Sequence, residues 1–240
     1  MAWKPGPSSP RPRGDEIHLW RARQDRPPRP HDELTRHLSP EEQARAARFA
    51  FARLTEQFIV AHAFVRDVLG AYLGVAPVEV PIEIDAQGKP HLRGSDLRFN
   101  LSHSANLAVL AVGTRELGVD VEQIRGDVLR ERIAERFFSA LEVQALNALP
   151  AEHQAAGFFS CWTRKEAYLK ALGTGLRIAL DRFDVSLGPD EPARLIADRG
   201  NDDLQAWKLA AFTPDRAFRG AVVARGHDWS LRGFDWSGPL

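Results

Sequence analysis

Two helical runs decide most of what this chain can become. One extends from about Leu54 to Leu73 and the other from about Gln154 to Leu172, and each is stopped by glycine and followed by short extended pieces. In the first run Phe58, Ile59, Ala61, His62, Val65, Val68, Leu69 and Tyr72 recur at helical spacing before Gly74; the second ends at Gly173-Thr174-Gly175. Between them the spacing predicts strands over 78–84, 90–92, 97–102, 107–112 and 117–122, with Gly, Asn or Asp in the gaps. After the second run come 183–187, 207–212, 220–223 and 229–234, and a first strand at 16–21 precedes everything. Two shorter helices announce their starts. Ser39-Pro40-Glu41-Glu42 places an N-cap hydroxyl, a proline at the first helical position and a glutamate that reaches back to the cap N–H. Ser139 and Glu142 repeat the device inside a helical stretch, 128–148, that breaks at Phe138-Ser139. This order implies an α+β fold with two comparable halves, 15–116 and 117–240, behind a disordered tail at 1–14. No repeat is legible in the letters themselves.

Charge and composition remove several function classes. The 240 residues balance 32 basic against 32 acidic side chains, so no global field favours a nucleic acid or a membrane surface as partner. The longest uninterrupted apolar run, Leu107–Val112, is far short of the roughly 20 residues a transmembrane helix needs. The proline-rich first ten residues contain no signal-peptide core. Cys161 is the sole cysteine, beside Trp162, and reads as a buried, inert thiol in a reducing, cytoplasmic setting.

Three segments carry chemistry. In Leu117-Gly118-Val119-Asp120-Val121-Glu122 strict alternation puts Asp120 and Glu122 on one face, their Cβ atoms on the order of 7 Å apart, within reach of one hard cation. The same pattern also suits a half-exposed strand with its polar side in water. In Trp162-Thr163-Arg164-Lys165-Glu166-Ala167-Tyr168-Leu169-Lys170, Glu166 and Lys170 lie one helical turn apart, the spacing of a surface ion pair too, and Thr163 with Glu166 also fits a capping box. In Phe99-Asn100-Leu101-Ser102-His103-Ser104 the hydroxyls and imidazole fall at a strand end, where they can converge on an anion. A triad of Ser102, His103 and Asp120 fails, because neighbouring residues of a strand project to opposite faces. Together the segments offer oxygens for Mg²⁺ beside cations for phosphate, the ingredients of phosphoryl-type transfer, without a Walker-type loop or GxGxxG to hold the donor. The lysines add to this. Only five stand against 27 arginines, and Lys89, Lys165 and Lys170 fall inside the motif segments.

These motifs, in order and spacing, resemble the Sfp type of 4′-phosphopantetheinyl transferase, as do Gly88-Lys89-Pro90, Arg136-Phe137-Phe138-Ser139 and Gly173-Thr174-Gly175-Leu176. The similarity covers about Ile17 to Val223. The resemblance implies a pseudo-dimer of two similar α/β subdomains with the active site in the cleft between them. It also implies transfer of the phosphopantetheine arm of coenzyme A to a serine of an acyl or peptidyl carrier protein, releasing adenosine 3′,5′-bisphosphate. By the same resemblance Asp120, Glu122 and Glu166 hold Mg²⁺, Glu166 takes the serine proton, and Lys170 neutralises the breaking phosphate bond. Ser102 and His103 would bind the pyrophosphate, Gly88, Lys89 and Pro90 the nucleotide end, and Arg45 the 3′-phosphate. Phe137 and Phe138 would receive the carrier helix. Glu42 and Gln57 depart from the family's basic residues at the 3′-phosphate. Since one chain supplies both halves, a monomer is expected. The competing readings are another metal-dependent transferase or hydrolase of nucleotide pyrophosphates, and a non-catalytic carrier-binding module.

Overall fold

Each half of the chain passes through the same order of elements in the computed structural model, which describes residues 1–126, 130–173, 178–188, 191–200 and 203–237. After a short strand β1 (Trp3–Pro5), the first half runs β2 (Glu16–Arg23), α1 (His31–Thr35), α2 (Pro40–Ala46), α3 (Ala52–Leu73), β3 (Ile82–Ile84), β4 (Pro90–Leu92), β5 (Arg98–Ser104) and β6 (Leu107–Gly113). The second runs β7 (Leu117–Gln123), α4 (Arg130–Phe137), α5 (Ala140–Ala148), α6 (Ala151–Leu172), β8 (Phe183–Val185), β9 (Leu195–Asp198), β10 (Trp207–Phe212) and β11 (Phe218–Arg225), and β12 (Ser230–Asp235) closes the chain. The duplication lies in the elements and is hidden in the letters, because burial and turn formation can be met by many residues.

Two sheets stack between two long helices. The first has the order β1-β12-β2-β6-β5 and the second β10-β11-β7. One core lies between α3 and the first sheet, around Trp20, Phe64 and Leu110; another lies between α6 and the second, around Phe159, Tyr168 and Val223. A third fills the space between the sheets, where Leu19, Val109 and Ala111 meet Val119, Val121 and Val222. That inner face of β7 is the Leu117, Val119, Val121 side predicted by alternation, so Asp120 and Glu122 turn the other way, toward α6.

Each long helix is tied to the shorter one before it by a glutamate strut. Both capping boxes form, and each cap glutamate goes on to meet a cation of the 22-residue helix behind it. Glu42 accepts from Arg66 at 2.5 Å and from His62 at 2.9 Å. Glu142 pairs with Lys165 at 2.8 Å with both side chains nearly solvent-free, and Lys165 also donates to the carbonyls of Leu180 and Phe183. Lys165 is therefore structural, and its place in the motif reflects burial rather than phosphate binding.

Several expectations change. The tail at 1–14 is partly ordered: β1 pairs in parallel with β12, Trp3 lies edge-on to Phe212, and the Arg21 guanidinium covers its ring at 4.5 Å. One bulky aromatic anchors a segment whose composition otherwise favours disorder. The division at 117 is crossed, because β12 leaves the second half and inserts between β1 and β2. Residues 77–79 form a helical turn before the strand expected from 78, the Pro- and Arg-rich stretch after the first strand, which reads as a loop from Gln24 to His31, ends in α1, and Thr163 donates to the carbonyls of Phe159 and Ser160 instead of capping. Phe138 is core, packed on Phe158 and Trp162, which also explains the tryptophan beside Glu166. Cys161 is fully buried and its thiol is pushed well up by that burial. Val128, Thr174, Gly175 and Leu176 lie outside the described residues.

Candidate active site

Gly118 sets the geometry. A Cβ there would stand 2.3 Å from both the Ala167 carbonyl and the Ala171 amide, so only glycine lets α6 settle this closely on β7. The consequence is that Lys170 reaches Asp120. Its Nζ donates to Asp120 Oδ1 at 2.7 Å, to Ser102 Oγ at 3.1 Å and to the Val119 carbonyl at 3.2 Å. Glu166, one turn earlier, shares with Lys170 a cleft of about 220 Å³ whose other walls include Gly88, Lys89, Pro90, Asn100 and Gly173. The expected metal, proton-transfer and phosphate residues Asp120, Glu166 and Lys170 are thus brought together from β7 and α6, with β5 and the β3–β4 turn closing the cleft from the first half.

The two halves meet along β5 and β7 through side chains. Asn100 Oδ1 accepts from the Val119 amide at 2.9 Å, Ser102 Oγ from Val121 at 3.3 Å and Ser104 Oγ from Gln123 at 3.2 Å. The hydroxyl protons go to the acids: Ser102 donates to Asp120 Oδ1 at 2.8 Å and Ser104 to Glu122 Oε2 at 2.5 Å. Ser102, with one proton and two lone pairs, is saturated by Asp120, Val121 and Lys170, so its hydroxyl serves the carboxylate rather than a free anion. The sequence carried a signal for this seam, namely polar residues two apart at 100, 102 and 104 opposite Gly118, Asp120 and Glu122, but no signal for the partnership itself.

The carboxylates are held at a cost. Burial pushes Asp120 up, against the pull of Lys170 and Ser102. Burial also raises Glu122 and Glu166, and the neighbouring acids raise them further. Asp120 Oδ2 is a buried oxygen with no hydrogen-bond partner, which normally calls for a bound water or ion. Among the described residues no three acidic, His or Cys side chains are already gathered as around a bound ion. Even so, a solvent-poor group of oxygens with one orphaned lone-pair site fits a hard divalent cation.

Other expected residues stand differently. The Lys89 ammonium donates to the carbonyls of Leu117 and Ala171 at 3.3 and 3.2 Å and to Glu116 at 3.4 Å, so it stitches the halves together and offers the cleft its alkyl stem. His103 is on the exposed side of β5, opposite Ser102. Surrounding atoms, then the charges of Lys170 and His62, hold it below the usual imidazole range. Arg45 is exposed on α2, outside the cleft walls, 5.3 Å over the Phe58 ring, which stacks on His62. Arg45 and His62 thus both lie against Phe58 on the α2–α3 side of the molecule. Glu42, spent on its strut, and Gln57, which donates to the Ala105 carbonyl at 3.1 Å, have structural partners. Phe137 remains partly buried, edge-on to Trp162.

Comparison with known proteins gives a consistent picture. Residues 116–224 match the profile of the 4′-phosphopantetheinyl transferase superfamily, and residues 20–115 that of 4′-phosphopantetheinyl transferase, N-terminal. The chain is 40% identical to the 4′-phosphopantetheinyl transferase HetI of Nostoc over 232 residues, 95% of each protein. It is 34% identical to the 4′-phosphopantetheinyl transferase psf-1 of Bacillus pumilus, covering 81% of this chain and 82% of that one. Among solved structures, a Helicobacter pylori holo-[acyl-carrier-protein] synthase in complex with coenzyme A aligns with 46% of this chain and 99% of its own, at 26% identity and a TM-score of 0.34.

Proposed function

The chain belongs to the 4′-phosphopantetheinyl transferase superfamily, and from that premise we propose that it moves the phosphopantetheine arm of coenzyme A onto a serine of an apo carrier protein, with Mg²⁺, releasing adenosine 3′,5′-bisphosphate. The observation that carries this reading is the junction of Asp120, Lys170 and Glu166 at the cleft, with Asp120 Oδ2 left unpartnered.

Asp120, Glu122 and Glu166 would hold the cation, which when bound neutralises charge on the pyrophosphate. Glu166 has no hydrogen-bond partner among the described residues and lines the cleft beside Lys170, so a carboxylate oxygen is open to accept a proton there. It takes the proton of the carrier serine as that oxygen attacks the phosphorus bearing the pantetheine arm. The pyrophosphate P–O bond breaks, and the electron pair leaves on the nucleotide. Lys170 meets the charge building on those oxygens, an interaction strongest in the transition state. Gly88, Lys89 and Pro90 wall the nucleotide end, and Arg45 draws the remaining phosphate. The protein acts as a monomer, and Phe137 lies on the side that receives the carrier.

Incubating the protein with coenzyme A, Mg²⁺ and a panel of apo acyl and peptidyl carriers should add the mass of one phosphopantetheine arm to at least one of them. No gain on any carrier would overturn the reading. Release of adenosine 3′,5′-bisphosphate without any carrier would instead support a pyrophosphate hydrolase. The same panel identifies the preferred carrier.

A further inference from the structure

Each of the two strand carboxylates has one oxygen occupied and one open. Asp120 Oδ1 is held by Lys170 and Ser102 while Oδ2 has no partner. Glu122 Oε2 is held by Ser104, and Oε1 makes no hydrogen bond among the described residues. A carboxylate gripped at one oxygen is fixed in rotation, so its other oxygen points in one direction. For Glu122 the grip comes entirely from the opposite half of the chain, since Ser104 is the last residue of β5.

Ser104 is itself held. It precedes Ala105, whose φ of +53° is unusual for a residue with a side chain and marks a tight turn. Gln57 of α3 donates to the Ala105 carbonyl at 3.1 Å, Gln24 donates to the Gln57 carbonyl at 3.0 Å, and the Asn106 amide group donates to Asp25 at 2.8 Å. A line of contacts therefore runs from α3 through the hairpin tip to Ser104 and on to Glu122.

We propose that Ser104 is a positioning residue that orients Glu122 for the divalent cation, with Gln57 fixing the hairpin tip that carries it. This rests on the metal reading given above. It gives Gln57 a task that a basic residue could not perform in the same way: an amide nitrogen donates to a backbone carbonyl at the tip without adding charge beside His103.

Mn²⁺ provides a probe independent of turnover, through its paramagnetic resonance signal in the protein saturated with coenzyme A. Ser104→Ala should weaken Mn²⁺ binding about tenfold, the lower end of the range for partners of ligating residues. Ser104→Thr, which keeps the hydroxyl, should restore most of it, and Gln57→Ala should produce a smaller loss in the same direction. Raising Mg²⁺ should recover transfer by Ser104→Ala, and the coenzyme A KM measured at that Mg²⁺ should match the parent's. Unchanged Mn²⁺ affinity in Ser104→Ala, with the parent binding normally, overturns the positioning role, as does a loss that Ser104→Thr shares. A parent protein that binds no Mn²⁺ overturns instead the metal reading beneath it.

Discussion

With the two long helices aligned, Asp67 falls opposite Glu166, Ala71 opposite Lys170 and Gly74 opposite Gly173, yet it is the second helix that lines the candidate cleft. On the helix-facing side of β7 stand Gly118, Asp120 and Glu122; on that of β2 stand His18, Trp20 and Ala22. Gly118 admits α6 to van der Waals distance of the strand backbone. Trp20 and His18 instead fill the space under α3 and bond to the Tyr72 hydroxyl at 3.0 and 2.6 Å. Asp67 is buried where Glu166 is only half-buried, and it is fully engaged, by His37 and by the Trp236 indole at 3.2 Å. A surface groove survives there, walled by Arg29, His37, Asp67, Gly70 and Ala71, without a cation in the place of Lys170. The same frame thus leaves carboxylate oxygens open where a glycine lets the helix close on its strand, and engages its polar groups where aromatic bulk fills that space.

The largest contrast concerns rate. Lys170→Ala should lower kcat/KM for carrier modification by about 10²–10³-fold, the range for losing a preorganised charge at the reacting centre. Ala71→Met, at the matching place in α3, should leave it within about threefold. Equal losses would show that the sister groove takes part.

Next come the two struts. Lys165→Met strands Glu142 as an uncompensated buried charge and should cost about 3–5 kcal/mol in denaturant unfolding. Arg66→Met should cost less, roughly 1.5–3 kcal/mol, because Glu42 keeps His62 and is more exposed than Glu142. Gly118→Ala should cost about 1–3 kcal/mol by overpacking and suppress transfer by lifting Lys170 from Asp120. Parent-like activity would remove Gly118 as the determinant of the site.

Acid separates the halves further. Burial alone would raise Glu42, but hydrogen bonds from His62 and Arg66 outweigh it and hold the carboxyl at about 2, below its ordinary 4.5. Its folded pKa is depressed, so its stabilisation is complete above pH 4.5 and is lost as pH falls toward 2. Glu42→Gln should flatten that part of the stability profile. Smallest of all, Glu166→Gln without divalent cation should raise Tm by ~2–4 °C, the response of a chain this size to about 1 kcal/mol, because it removes a half-buried negative charge that makes no hydrogen bond among the described residues, while abolishing transfer. A lower Tm would mean that Glu166 is satisfied in the resting protein.

What could be read from the letters follows this physical division. Helix stops, capping boxes and alternation are local, so β5 to β7, α2, α5 and the shared face of Asp120 and Glu122 were legible. The pairing of β12 with β1 and β2 depends on contacts between the two chain ends, and nothing near Trp3 or Phe234 announces it. Lys165 and Lys170 look alike in sequence and differ only in which side of α6 meets the core. Ser102 and Ser104 were recognisable as site residues, but whether a hydroxyl serves an anion or a carboxylate depends on the strand beside it.

Calorimetric titration with coenzyme A in the presence of Mg²⁺ distinguishes one binding place per chain, at α6, from two equivalent ones. The expected result is one molecule bound per chain, with affinity reduced at least about tenfold by Lys170→Ala and unchanged by Ala71→Met. Two molecules per chain, or binding that survives Lys170→Ala and fails in Ala71→Met, would contradict it.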